Sequence, residues 1–105
     1  MRRSLSDVAQ VIRSKNAGPY ELTLDVLFRD RRHYEVFRQR KIICPELICR
    51  LYGVSAEQIL GIVYFEPASA VKVTIRRTAP SGTPGDGDVY GAQQHVPLLG
   101  IEFDD

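Results

Sequence analysis

Hydrogen-bonding side chains are concentrated in one segment near the end of the chain, "GDGDVYGAQQHVPLLG" at residues 85–100. His95 is the residue of this segment that titrates near neutral pH, so it is the candidate catalytic base. Glutamine amides and phenol hydroxyls both donate and accept hydrogen bonds, and they therefore suit carboxylate or carbonyl oxygens. The candidate substrate-binding residues of the segment are Asp88, Tyr90, Gln93 and Gln94.

The same segment also has a purely structural interpretation. A histidine beside an apolar strand often bonds only to loop backbone, and a glycine–aspartate run is typical of turns. Asp86 and Asp88 could meet His95 around a metal ion, but a hard cation needs more oxygen ligands than these. The sequence therefore predicts no metal site, and it leaves any cofactor unknown.

A second polar segment, "RSKNAG" at residues 13–18, has the composition of an anion cradle. Its cations supply charge, its short polar side chains supply hydrogen bonds, and its glycine allows close backbone approach. The candidate substrate-binding residues here are Arg13, Ser14, Lys15 and Asn16. The segment lacks the spacing of a P-loop, and the alternative interpretation is a basic turn in solvent.

One further substrate-binding candidate lies outside the two polar segments. Lys72 is flanked by apolar residues, so its side chain could face a cleft. Arg76 and Arg77 are expected to be solvated surface charges. The sequence contains no G-x-S-x-G elbow, so it gives no support for nucleophilic catalysis.

Residues 20–28 form the clearest predicted strand, because apolar and polar residues alternate along them. Such a strand buries one face and exposes the other. Its inward residues are Tyr20, Leu22, Leu24, Val26 and Phe28, and its outward residues are Glu21, Thr23 and Asp25. Upstream, residues 5–13 fit either a helix or a weak strand, and the chain breaks at Gly18 and Pro19.

Two helices are predicted after this strand. Asp30 is a natural N-cap for the first helix, whose inward residues are Tyr34 and Phe37. Pro45 suits the first turn of the second helix, since a proline there loses no intrahelical hydrogen bond. Each helix has one apolar face, which predicts packing against the sheet.

The second half of the chain mixes strand and helix signals. Ser55 and Gln58 form a capping box that starts a brief helical turn. Residues 59–65, "ILGIVYF", predict a buried strand, and residues 96–103, "VPLLGIEF", predict a final strand. Residues 67–77 stay open, because a proline and two alanines favour a helix whereas alternating β-branched residues favour a strand. The fold class is α+β, with helices on one face of a small mixed or antiparallel sheet.

Length and composition predict a single domain over residues 1–105. The formal net charge of +1 gives no bulk attraction for nucleic acid or an anionic membrane. The chain contains no apolar run that could cross a bilayer and no secretory signal, so a cytoplasmic location is expected. Cys44 and Cys49 fall on different faces of a helix, which predicts two reduced thiols.

Three stretches of the sequence resemble a known family over nearly the whole chain. They are "SDVAQVIRSKNAGPYELTLDVLF", "LYGVSAEQILGIVYFEPASAVKVTI" and "SGTPGDGDVYGAQQHVPLLGIEF". The family is a small uncharacterised one whose members accompany, or are fused to, AtuA-type (acyclic terpene utilisation) proteins. Residues 12–18 also resemble the opening of the AtuA C-terminal domain. That resemblance implies a ferredoxin-like sandwich with a helix before the last strand, and so favours a helix at residues 67–77.

The resemblance implies a small subunit or auxiliary domain that completes a site on a larger AtuA-type enzyme. The substrates implied are branched carboxylic acids or their acyl-CoA thioesters. Two alternatives remain: a stand-alone lyase or isomerase that uses His95 as its base, and an assembly module without a ligand. We also expect homo-oligomers in the absence of a partner. The two polar segments, residues 13–18 and 85–95, are expected to meet in space.

Overall fold

The computed structural model describes residues 1–18, 20–77 and 94–105 of the chain. Its helices and strands are β1 (Arg2–Ser4), α1 (Leu5–Val8), β2 (Ala9–Gly18), β3 (Glu21–Phe28), α2 (Arg31–Arg40), α3 (Pro45–Tyr52), β4 (Ile59–Phe65), β5 (Ala70–Arg76), α4 (Val96–Leu99) and β6 (Glu102–Asp104). Short 3₁₀ turns at Ala56–Gln58 and Glu66–Ala68 precede β4 and β5.

The strands form two antiparallel sheets. The main sheet has four strands in the order β2-β3-β5-β4, and β1 pairs with β6 in a two-stranded sheet. The predicted α+β class is confirmed. The ferredoxin-like part of the prediction is not: that unit orders its elements β-α-β-β-α-β, whereas the main sheet with α2 and α3 has the order β-β-α-α-β-β.

Strand β3 lies inside the main sheet and buries one face, as its alternation predicts. Leu22, Leu24, Val26 and Phe28 are buried, and they face the inward residues of β5 across the register. The burial of two other residues, Tyr20 and Thr23, differs from the prediction. Tyr20 is exposed because it precedes the strand in a turn. Thr23 is buried on the opposite face, between β2 and β5, where its hydroxyl donates to the Lys15 carbonyl at 3.3 Å.

Helix α2 begins and packs as predicted. The Asp30 side chain caps it by accepting from the His33 backbone N–H at 2.9 Å. Tyr34 and Phe37 are fully buried. Phe37 contacts Phe28 of β3 and Phe103 of β6, with ring centroids 4.9 Å away in both cases. Helix α2 therefore joins the two sheets through one aromatic side chain.

Helix α3 and the turn after it also follow their sequence signals. Pro45 opens α3, and Gly53 ends it in the left-handed conformation, with φ 65°. The capping box is present, because the Ser55 backbone N–H donates to the Gln58 side chain at 3.0 Å. Cys44 and Cys49 are free thiols, as the sequence predicts.

Two predictions for the second half are corrected. Residues 67–77 form a short 3₁₀ turn and then β5, so the helix favoured there by the resemblance is wrong. The alternating β-branched residues decide the outcome, because their inward members pack in the centre of the sheet. Residues 59–65 are a strand as predicted, but not a buried one. Strand β4 is an outer strand among those described, and Leu60, Val63 and Phe65 are exposed.

The chain ends also differ from the prediction. Residues 96–103 divide into helix α4 and strand β6, because Pro97 lies in the first turn of a helix rather than in a strand. Residues 5–13 divide into α1 and the start of β2, so both interpretations hold in part. None of the described helices is long and apolar enough to cross a membrane.

Candidate functional site

The predicted anion cradle lies on a strand and not in a loop. Residues 13–18 form the second half of β2, because they pair with β3 in antiparallel register. Successive side chains of a strand point to opposite faces. Ser14 and Asn16 therefore lie opposite Leu24 and Leu22 on the helix-covered face, and the two basic residues of the segment lie on the open face. The structure does not bring these four candidates together.

The open face carries the basic candidates as a row of charges. Arg13 forms an ion pair with Asp25 at 3.2 Å, and Lys72 is the partner of Asp25 in the β3–β5 register. Lys15 lies one row further along, opposite Thr23. Arg13, Lys15 and Lys72 are exposed, so this face is a solvated surface on which these three cations outnumber the Asp25 carboxylate.

A cavity of about 220 Å³ lies on the helix-covered side of the main sheet, at the end where β3 begins and β5 ends. Gln94 of the second polar segment lines the cavity, and so does Arg77, whose guanidinium donates a hydrogen bond to Asn16 of the first segment at 2.9 Å. Lys15 lies on the other face of the sheet. The predicted meeting of residues 13–18 and 85–95 stays a prediction, because residues 85–93 lie outside the described ranges. The lining residues are Leu22, Tyr52, Val54, Gln58, Ile75, Arg76, Arg77 and Gln94.

Tyr52 fixes one wall of this cavity. Its hydroxyl donates to the Gln94 carbonyl at 2.7 Å and so ties α3 to the segment before α4. Burial raises the pKa of Tyr52 well above its ordinary value, because the phenolate would lose its hydration. The opposite wall is held by Gln58, whose amide donates to the Arg76 carbonyl at 3.1 Å. Neutral hydrogen bonds thus position the polar groups of the cavity.

The cavity combines an apolar floor with cationic groups at its rim. Leu22, Val54 and Ile75 supply the floor, and the two arginines at the end of β5 supply charge. A guanidinium binds a carboxylate with two parallel hydrogen bonds, which suits a small anion that has a short hydrocarbon part. The described lining residues include no aspartate, glutamate, histidine or cysteine, so this arrangement supports binding more directly than proton transfer.

His95 is placed beside the cavity. It is half-buried, it is adjacent to Gln94, and its carbonyl accepts from the Leu98 backbone N–H at 2.9 Å at the start of α4. The remaining candidates of that segment, Asp88, Tyr90 and Gln93, lie outside the described residues.

The sequence interpretation missed the two arginines of the cavity. The sequence predicts Arg76 and Arg77 to be ordinary solvated surface charges. Arg76 is indeed exposed, but it stands where the strand ends, so it still reaches the rim. Arg77 follows the strand and donates its backbone N–H to the Tyr20 carbonyl, which turns it toward Asn16. No local pattern predicts that turn.

A second polar cluster lies at the opposite end of the main sheet, where α2 meets β6. The imidazole of His33 is buried, with Nδ1 3.0 Å from Asp30 and Nε2 3.1 Å from Asp105. Asp105 also accepts from Arg32 at 3.0 Å and from Arg3 at 3.2 Å. The cluster connects the terminal strands to α2, because the Asp105 side chain, which is only 8% exposed, pairs with Arg3 as well as with Arg32 and His33.

This cluster predicts a loss of stability in acid. Hydrogen bonds from Arg32 and then His33 hold the pKa of Asp105 well below its ordinary value, and the His33 backbone N–H lowers that of Asp30. A carboxyl whose folded pKa is depressed stabilises the fold above its unfolded pKa of about 4, and that stability is lost as the pH falls through the folded pKa. Urea unfolding between neutral pH and strongly acidic pH measures the loss.

Asp105→Asn should flatten the acid side of that stability profile, because it removes the titrating group. Asp104→Asn is the matched control, since the Asp104 side chain is 81% exposed and its ion pair is with Arg2. An Asp105→Asn protein that loses stability in acid as steeply as the wild type would contradict the assignment.

Within the described ranges, no group of three or more His, Cys, Asp or Glu residues could hold a metal ion. Asp86 and Asp88, the two carboxylates considered with His95, are not among the residues described.

The fold and the cavity define a small antiparallel α+β domain with an arginine-lined cavity. The chain belongs to the family described as Domain of unknown function (DUF4387), whose family model matches residues 5–102. No curated protein and no solved structure matches the chain. The resemblance to an uncharacterised family is thus confirmed, and the association with AtuA-type proteins stays a prediction.

Proposed function

We propose that this chain is a small auxiliary subunit that binds the carboxylate or carbonyl end of a branched acid for a larger enzyme. The observation that carries the proposal is that Arg76, Arg77 and Gln94 line one cavity, with Asn16 bonded to Arg77. These residues come from both polar segments and from the end of β5. A charged rim over an apolar floor suits a ligand that has one anionic end and one hydrocarbon end.

The size of the cavity supports a small ligand. Its volume of about 220 Å³ lies below the roughly 300 Å³ at which pockets for drug-sized ligands begin. A short branched acid fits such a space, as does the acyl end of a thioester whose carrier lies outside. The cavity is open, so a second protein could supply the missing walls.

A subunit role fits this chemistry better than a stand-alone lyase or isomerase. The one ionisable acid among the described lining residues is Tyr52, and burial raises its pKa, so it is a poor general base near neutral pH. His95 lies next to Gln94 and could enter catalysis in a complete site. The partner that the sequence resemblance implies is an AtuA-type protein that acts on branched acids or their acyl-CoA thioesters.

A binding experiment with two isosteric ligands tests the proposal. We expect isovalerate to bind at least tenfold more tightly than isovaleramide in calorimetric titration, because only the carboxylate carries a negative charge and can accept two parallel hydrogen bonds from the guanidinium. Arg76→Gln should reduce the affinity for isovalerate about tenfold, which corresponds to about 1.4 kcal/mol.

Arg29→Gln is the matched control for this experiment. Arg29 is an exposed arginine that follows β3, at the end of that strand remote from Leu22 and the cavity. We expect its variant to bind isovalerate like the wild type. Equal binding of the acid and the amide, or equal losses in the Arg76 and Arg29 variants, would contradict a carboxylate site in the cavity.

A further inference from the structure

The two outer strands of the main sheet differ in the protection of their edges. Strand β2 carries Arg13 and Lys15 on its edge, and such charges oppose pairing with another strand. Strand β4 pairs with β5 alone among the described strands, and no charged residue or proline occurs within Ile59–Phe65. An uncharged, apolar edge with free backbone groups is a template for a further strand. One edge of the sheet is therefore closed to extension and the other is open.

We propose that β4 pairs antiparallel with β4 of a second copy of this chain, across a twofold axis at Val63. The register with β5 is interrupted between Ile59 and Gly61, so the regular part of β4 runs from Gly61 to Phe65. Val63 is the midpoint of that part. An axis there gives the largest overlap of regular strand, and it makes both copies use the same surface.

The side chains of β4 are complementary to themselves in this register. Gly61 lies opposite Phe65 of the partner subunit, and Val63 lies opposite the partner's Val63. A Cβ placed on Gly61 would meet nothing within 4 Å, so the space beside this glycine is open for an aromatic ring. An aromatic residue that covers a glycine on the neighbouring strand is a known stabilising pair. The strand thus supplies both the gap and the group that fills it.

The helix side of the edge also has room for a second copy. A groove of about 500 Å³ runs beside β4, and Ile62 and Tyr64 lie along it. In the proposed register Ile62 faces Tyr64 of the partner subunit, so both would bury apolar surface there. Arg38 and Lys41 are the cations that line the groove, and the pairing of Arg38 with Glu35 at 2.8 Å limits the repulsion that Arg38 would add between the two copies.

A second copy suits this edge better than an unrelated strand. Val63 and Phe65 are each more than half exposed on the open face, and the edge between them offers no charge that would select a partner of opposite sign. Pairing through β4 joins the two main sheets into one sheet of eight strands. Its outer strands are then the two charged β2 strands, which oppose the addition of further copies, so assembly stops at the dimer.

Sedimentation velocity over a micromolar concentration range tests the proposal. We expect the wild type to be a dimer and Val63→Glu to be a monomer at the same concentrations. The substitution places like charges opposite each other at the axis, which should raise the dimer dissociation constant at least tenfold. It should not harm the single chain, because Val63 is 54% exposed and its neighbour on β5 is Lys72.

Val96→Glu is the matched control, since Val96 is 56% exposed and lies on α4, away from the edge. This variant should dimerise like the wild type. A monomeric wild type would leave the β4 edge to another protein and would overturn the proposal. A Val63→Glu protein that dimerises as tightly as the wild type would do the same.

Oxidative cross-linking keeps the proposal testable if Val63→Glu fails to fold. Directly opposite residues of an antiparallel pair have Cβ atoms about 4.5–5.5 Å apart, within reach of a disulfide after a small shift. Val63→Cys should therefore form a disulfide-linked dimer. Val96→Cys should show only the background from the two free cysteines of the chain. Equal cross-linking of the two variants would overturn the proposed register.

Discussion

Phe37→Ala should lower the free energy of unfolding by about 3–5 kcal/mol, the usual cost of deleting a buried phenylalanine. Phe37 is fully buried and contacts Phe28 and Phe103 at ring-centroid distances of 4.9 Å. These two partners belong to different sheets, so no single neighbour can move into the cavity that the substitution leaves. This loss would be a substantial fraction of the roughly 5–15 kcal/mol that is typical of protein domains.

Urea unfolding of the wild type and the variant measures this cost. Tyr20→Ala is the matched aromatic control, because the Tyr20 side chain lies in a turn and the residue is 51% exposed. Substitutions at exposed positions usually change stability by about 0.5 kcal/mol or less. A Phe37→Ala protein as stable as Tyr20→Ala would show that α2 does not hold the two sheets together.

The elements that could be predicted from the sequence are those whose local signals agree. Asp30 supplies a cap, and Tyr34 and Phe37 follow it at helical spacing, so composition and periodicity both indicate α2. Strand β3 was predictable for the same reason, since its alternation is uninterrupted. The fold buries the side chains that define both patterns, apart from Tyr20, which precedes the strand and is exposed.

The two wrong elements have different causes: the resemblance favoured a helix where the local signals conflicted, and a single apolar run was interpreted as one strand. In residues 67–77 a proline and two alanines favour a helix, but the helical part of this segment is only a short 3₁₀ turn. The β-branched residues that follow pack in the sheet and form β5. In residues 96–103 the apolar run hid a change of element at Gly100, where α4 ends. A short apolar run cannot distinguish strand from buried helix by periodicity alone.

The candidate site was predictable only in part, because it depends on tertiary placement. The composition of residues 13–18 indicated an anion cradle, but strand pairing directs alternate side chains to opposite faces, so Asn16 and Lys15 separate. The position of Arg77 depends on its backbone hydrogen bond to Tyr20 and on its contact with Asn16. Contacts between residues so distant in sequence leave no local signature.

Two buried tyrosines give the second stability prediction, because the same substitution should have opposite effects on them. Tyr34 is fully buried, and its hydroxyl has no hydrogen-bond partner among the described residues. The hydroxyl of Tyr64 donates to the Ile43 carbonyl at 2.8 Å and accepts from the Ile43 backbone N–H at 3.2 Å. Burial, the larger influence, raises the pKa of Tyr64 to about 12, so its hydroxyl is neutral near pH 7.

Tyr64→Phe should destabilise the protein by about 1–3 kcal/mol, because it leaves the backbone N–H and carbonyl of Ile43 without their partner. Tyr34→Phe should stabilise it by about 1 kcal/mol, because it removes a buried polar group that makes no hydrogen bond. Urea unfolding of both variants at one protein concentration provides the comparison, and each variant is the matched control for the other. Since both substitutions remove one oxygen atom from a tyrosine ring, a common loss of packing would lower stability in both. Only the difference in hydrogen bonding can make one substitution stabilising and the other destabilising. If the free energy of unfolding changed in the same direction and by the same amount in both variants, the hydrogen bonds assigned to the two hydroxyls would be contradicted.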